Sequence, residues 1–158
     1  MRTRGAAQIA LLIIARVLIG CAGSGGGGGG TPAGPTCKSQ VPGNPIKFDA
    51  NIQPIYTRSC ALPSCHTPPV LNGGLDLTAG KAYNQTVGVN STEKPALKRI
   101  KPGDPNNSYL FQKITGAPSI SGVLMPNGCP GAPLAGQCLS PDEIEAIRTW
   151  ILECAPRK

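Results

Sequence analysis

Apolar residues fall along this chain in short clusters at helical spacing, separated by long polar, turn-rich stretches. The exception comes first: Arg2 and Arg4 precede an apolar stretch over residues 6–18, interrupted by few polar positions. A charged start followed by a short apolar run reads as a secretory signal. The run falls short of the roughly 20 apolar residues that a membrane span needs. Further on, Ile52, Ile55 and Tyr56 give one apolar face and predict a helix over about 49–59, with Pro54 limiting its start. A second helix is predicted over about 105–115. Asp104 would be its N-cap, Pro105 its first residue and Gly116 its stop, and Leu110, Phe111 and Ile114 its inner stripe. The third is the clearest: Ser140-Pro141-Asp142-Glu143 reads as a capping box. Ile144, Ile147, Trp150 and Ile151 then recur at helical spacing as far as about Cys154, with Trp150 a core residue. Few strands are suggested. The expected fold is therefore mainly α, a small helical domain with long Gly/Pro-rich loops.

The apolar run ends in Leu18-Ile19-Gly20-Cys21, which resembles the bacterial lipobox. That resemblance implies cleavage before Cys21 and lipidation of its sulfur. Arg16 departs from the pattern, because a charge inside the apolar region is costly in a membrane. Six consecutive glycines, Gly25 to Gly30, follow Cys21 and predict a flexible tether. The chain thus divides into a signal over 1–20, a tether over 21–36 and one domain over 37–158. Ala22 rather than an acidic residue after the anchor resembles lipoproteins sorted to the outer membrane. The expected location is the cell envelope, on the outer membrane or the periplasmic face, with the lipid anchor as membrane contact.

Composition changes the picture in two ways. The formal charge of +7 includes three arginines of the signal, so the mature chain is less basic than it first looks. Its basic residues are dispersed and its aromatics scarce, which argues against a nucleic-acid partner. The domain is also rich in Gly and Pro and poor in long apolar runs, so its core needs covalent staples or a cofactor. With Cys21 lipidated, six cysteines remain: Cys37, Cys60, Cys65, Cys129, Cys138 and Cys154.

The chemistry concentrates in Cys60-Ala61-Leu62-Pro63-Ser64-Cys65-His66, which holds the chain's only histidine. The attachment signature of c-type haem is C-x-x-C-H, and here the spacer has four residues instead of two. Two thiols can add to the haem vinyl groups, and the next imidazole can serve as proximal ligand. Bis-histidine ligation within one chain is excluded. After removal of the signal one methionine is left, Met125, and Pro126 behind it biases it toward an extended loop.

The order of motifs resembles a family. Residues 52–56 lead into the Cys–His segment, then come Gly73-Gly74-Leu75-Asp76-Leu77, Lys101-Pro102-Gly103-Asp104-Pro105 and Ser108-Tyr109-Leu110. Met125-Pro126 and the last helix close the order. Over about 47–155 this is similar to the cytochrome-c-like domains of exported planctomycete and myxobacterial proteins. The resemblance implies haem c held by Cys60 and Cys65, with His66 proximal and Met125 distal. It would place the haem between the Met125 loop and the first and C-terminal helices. The implied function is single-electron transfer by a mono-haem carrier, with no catalysis, to a redox partner protein.

The same residues admit another reading: Cys60 and Cys65 joined in a disulfide, in a non-haem, disulfide-stapled lipoprotein serving as a binding or structural module. Two thiolates and one imidazole could also ligate zinc, although no fourth ligand is obvious. Cys129 and Cys138 read as a disulfide closing a Pro-Gly loop after Met125. Pairing Cys37 with Cys154 would tie the ends of the domain together, but sequence alone does not fix the connectivity of six cysteines. The basic stretch Lys94, Lys98, Arg99 and Lys101 reads either as a solvated face or as a surface that steers an acidic partner.

Overall fold

The aromatic side chains organise the core. Phe48 meets Tyr56 and Tyr83 edge-on, with ring centroids 5.7 and 5.2 Å apart, and lies tilted against Trp150 at 5.4 Å. These are the offset arrangements that aromatic quadrupoles favour. In the computed structural model residues 37–38, 44–131 and 138–158 are described. They belong to one unit, Ala33–Lys158. The signal, Cys21 and the Gly-rich tether lie outside the described residues.

A π-helical turn, Phe48–Ile52, runs into α1, Gln53–Ser59. Two short antiparallel strands follow, β1 at His66–Thr67 and β2 at Val70–Leu71, with His66 opposite Leu71. Next come a 3-10 turn at Asn72–Gly74, α2, Ala82–Thr86, a second 3-10 turn at Pro105–Asn107, and α3, Tyr109–Thr115. The last element is α4, Pro141–Leu152.

This architecture corrects the mainly helical expectation. Among the described residues the fold is mixed: four short α-helices, a two-stranded sheet and two disulfides, with 38% of those residues helical. The reason lies in the chain between α1 and α3. Core residues there come from extended chain rather than from helices: Ile100 bridges Val87, and Leu77 donates its amide to the His66 carbonyl. Gly73, Gly80 and Gly103 take positive φ in the turns between them, a conformation with no steric cost for glycine. The first two predicted helices are also shorter than expected. Their leading residues form a π turn and a 3-10 turn, and neither α2 nor the β1–β2 hairpin was anticipated.

Of the signals at helix ends, those at Gly116 and Ser140 hold, whereas Asp104 caps the second 3-10 turn and α3 begins after Ser108, which makes no side-chain cap. Asp104 accepts from the Asn107 amide at 3.2 Å, and Gly116 stops α3 in the left-handed conformation. A Cβ at Gly116 would stand 3.2 Å from Leu124 Cδ1. The capping box of α4 is complete, with Ser140 Oγ accepting from Glu143 N and Glu143 Oε2 from Ser140 N. Trp150 is fully buried, and its Nε1 donates to the Pro156 carbonyl at 2.9 Å.

Both expected disulfides are present, Cys37–Cys154 and Cys129–Cys138. The first joins the two ends of the domain. Beside it Phe48 and Asp49 donate their amides to the carbonyls of Pro156 and Arg157, so the C-terminal residues run along the π turn. Among the described residues no helix is long and apolar enough to cross a membrane.

Candidate functional site

The segment that follows α1 folds back on itself. Cys60 and Ala61 both donate their amides to the Tyr56 carbonyl, which closes the helix. A turn then brings Cys65 N to Leu62 O at 3.0 Å, and His66 N returns to Cys60 O at 3.3 Å. Ser64 takes φ of 64° to make this possible. A left-handed conformation costs a non-glycine residue about 1–2 kcal/mol. Asn72 supports the turn, its Nδ2 donating to the carbonyls of Ser64 and Cys65. The four-residue spacer is thus absorbed in a turn, and its ends, Cys60 and His66, meet through the backbone.

His66 opens β1, and its carbonyl accepts from Leu77 N at 2.9 Å. The imidazole Nδ1 is buried without a hydrogen-bond partner. Burial holds the His66 pKa below the ordinary imidazole value, against an opposing pull from the backbone at Leu75 and Asn72. Cys60 and Cys65 are free thiols, which does not match the expected alternative of a local disulfide. Burial first, and Cys65 second, push the Cys60 thiol up to about 12, so it stays protonated at neutral pH.

Met125 approaches from another segment. Its amide donates to the Lys113 carbonyl at 2.9 Å, which hangs the Met125 loop on α3. The same lysine sends its Nζ to the Ser121 carbonyl at 2.7 Å. Tyr109 holds the loop as well, its hydroxyl accepting from Ser121 N at 3.0 Å and donating to Glu93 Oε2 at 2.7 Å.

Cys60, Cys65, His66 and Met125 all line one cavity of about 510 Å³. That volume lies within the roughly 300–1,000 Å³ typical of small-molecule and cofactor sites. Its apolar wall includes Leu75, Leu77, Leu110 and Ile114. The cavity corrects the expected placement beside the C-terminal helix: it borders the end of α1 and α3, and no residue of α4 lines it. Met125 also borders a smaller cleft with both half-cystines of the Cys129–Cys138 bridge.

Four polar residues of the wall carry no site role in the sequence reading: Glu93 and Lys113, which it does not single out, Tyr109, which appears there only within a motif, and Arg99. Arg99 had been read within an exposed basic run, yet it is only 8% exposed. It sits in an extended segment between two others. Arg99 N donates to Val89 O at 2.7 Å on one side, and Leu110 N donates to Arg99 O at 2.9 Å on the other. Lys101, from the same run, pairs with Asp104 at 2.9 Å.

The donor set bears on which group could sit here. Among the described residues no three His, Cys, Asp or Glu side chains are grouped to hold a metal ion. Zinc would need four ligands, and Cys60, Cys65 and His66 supply three. Two free cysteines, an imidazole with an unpartnered nitrogen and a thioether around a largely apolar cavity do fit a covalently attached haem. No protein-family model matches the chain, and neither a curated protein nor a solved structure matches it.

Proposed function

We propose that this chain is a lipid-anchored, mono-haem c-type electron carrier of the cell envelope. The observation that carries the reading is the convergence of Cys60, Cys65, His66 and Met125, from segments some 60 residues apart in sequence, on a single cavity. Cys60 and Cys65 would hold haem c through thioethers, His66 would be the proximal ligand and Met125 the distal one. Bound there, haem supplies a one-electron couple, whose potential a Met/His ligand set raises relative to bis-histidine.

The chain's own residues bind and orient. The turn over 62–65 fixes both thiols next to His66, and the return of His66 N to Cys60 O fixes the histidine backbone. Burial keeps the imidazole neutral, the form in which its nitrogen can donate an electron pair. Leu75, Leu77, Leu110 and Ile114 give the cavity an apolar wall. Lys113 and Tyr109 hold the loop that presents Met125. A sequence order similar to exported cytochrome-c-like proteins supports the reading independently of the fold. Cys21 would anchor the chain, and the tether would let the domain reach a protein redox partner.

The test is spectroscopic. Full-length chain matured with a c-type haem attachment system should give the sharp reduced bands of haem c, and Met125→Ala should remove the methionine–iron charge-transfer band. Matured protein without haem bands contradicts the proposal. The disulfide-stapled, non-haem module is less well supported, because Cys60 and Cys65 are free thiols.

A further inference from the structure

Among the described residues Arg99 is a buried charge without a carboxylate partner. Its Nη1 donates to the Gln85 carbonyl at 2.9 Å, and its Nη2 to the carbonyls of Gly73 and Gly74 at 3.1 and 3.4 Å. Those three bonds leave two of a guanidinium's five N–H donors without a described partner. Carbonyls supply dipoles and no countercharge. Every acidic side chain in a described ion pair, Asp49, Glu93, Asp104, Glu143 and Glu145, pairs with a different base. Burial draws the Arg99 pKa down from its ordinary value, with no carboxylate acting the other way.

A desolvated guanidinium is costly unless an anion compensates it. Arg99 lines the cavity that also holds the thiols and His66. The second cation of that wall, Lys113, is 3.6 Å from Glu93, so that pair is neutral and the guanidinium charge is left over. The donors left over, Nε–H and one N–H of Nη1, each offer a carboxylate oxygen a charge-assisted hydrogen bond, which is about twice as strong as a neutral one.

We infer that Arg99 receives a carboxylate of the molecule that fills this cavity, so the site selects an amphipathic ligand with an apolar body and an acidic edge. The inference rests on the cofactor reading above, under which the acidic edge is a carboxylate of the porphyrin. Arg99 is then a specificity-determining binding residue. Its bonds to Gly73 and Gly74 also couple it to the turn behind His66.

The full chain, prepared without haem, is titrated with iron protoporphyrin and with its dimethyl ester, and binding is followed by quenching of Trp150 fluorescence. The free acid should bind at least tenfold more tightly than the ester. Arg99→Gln should weaken the acid about tenfold and leave the ester unchanged, and Arg99→Lys should keep part of the preference. The same acid–ester comparison with metal-free protoporphyrin removes any contribution from iron and His66, and the preference should persist. Because the wild-type comparison needs no variant, the test survives a failure of Arg99→Gln to fold. Equal affinity for acid and ester overturns the inference and leaves the cofactor reading standing. Binding of neither porphyrin overturns both.

Discussion

The amide of Met125 donates to the carbonyl of Lys113 at 2.9 Å, so the only methionine beyond the proposed signal is suspended from the helix that walls the cavity. Lys113 Nζ and Tyr109 Oη grip the same loop at Ser121, one at its carbonyl and the other at its amide. Removing the tyrosine hydroxyl leaves Ser121 N and Glu93 each short of a partner. Tyr109→Phe is therefore expected to lower stability by about 1–2 kcal/mol. It should also speed peroxide oxidation of Met125 in the haem-free chain. Urea unfolding checks the first effect and peptide mass analysis the second. A variant with unchanged oxidation rate contradicts the role of the strap.

The two disulfides differ in the length of chain they close, with separations of 117 and 9 residues. In the chain-entropy account the longer one is worth about 4–5 kcal/mol and the shorter about 2–3 kcal/mol. Replacing Cys37 and Cys154 by serine should therefore lower the urea midpoint more than replacing Cys129 and Cys138. The reverse order contradicts this.

His66 gives stability a pH dependence with a defined sign. Its folded pKa lies below the ordinary value of 6.5, chiefly through burial. Between those two values the unfolded chain binds more protons than the folded one, so stability rises with pH. The contribution is complete above about 6.5 and is lost as pH falls through the folded value. The depressed carboxyls of Asp76, Asp104 and Glu143 act lower, below about 4.5. The haem-free protein should thus lose stability as pH falls below about 6.5, and His66→Gln should flatten that slope. A slope unchanged by the substitution removes His66 as its source.

Membrane attachment is expected to depend on one atom, the Cys21 sulfur. Cys21→Ser should move the protein from the membrane fraction to the soluble fraction. Continued membrane retention contradicts the anchor.

The site was legible in the sequence where chemistry is local. Cys60, Cys65 and His66 stand together, and Pro126 marks Met125 as a loop residue. Helix ends were legible for the same reason, since Ser140 with Glu143, and Asp104 with Asn107, are short-range contacts. The balance of helix and extended chain was not. Leu77 and Ile100 enter the core singly from segments without periodicity, so no pattern distinguishes them from loop residues. Arg99 was hidden for a similar reason. Its neighbours Lys98 and Lys101 make it look like part of a basic surface, and only pairing with both flanking segments turns it inward.

The central claim concerns what the Cys60 and Cys65 sulfurs bond to. Trypsin cuts after Arg58 and Lys81, so both thiols and His66 fall in one peptide, residues 59–81. Mass analysis of this peptide from chain matured with haem-attachment machinery should show one haem joined through both sulfurs. The same peptide free of haem, with Cys60 and Cys65 joined to each other, would contradict the account.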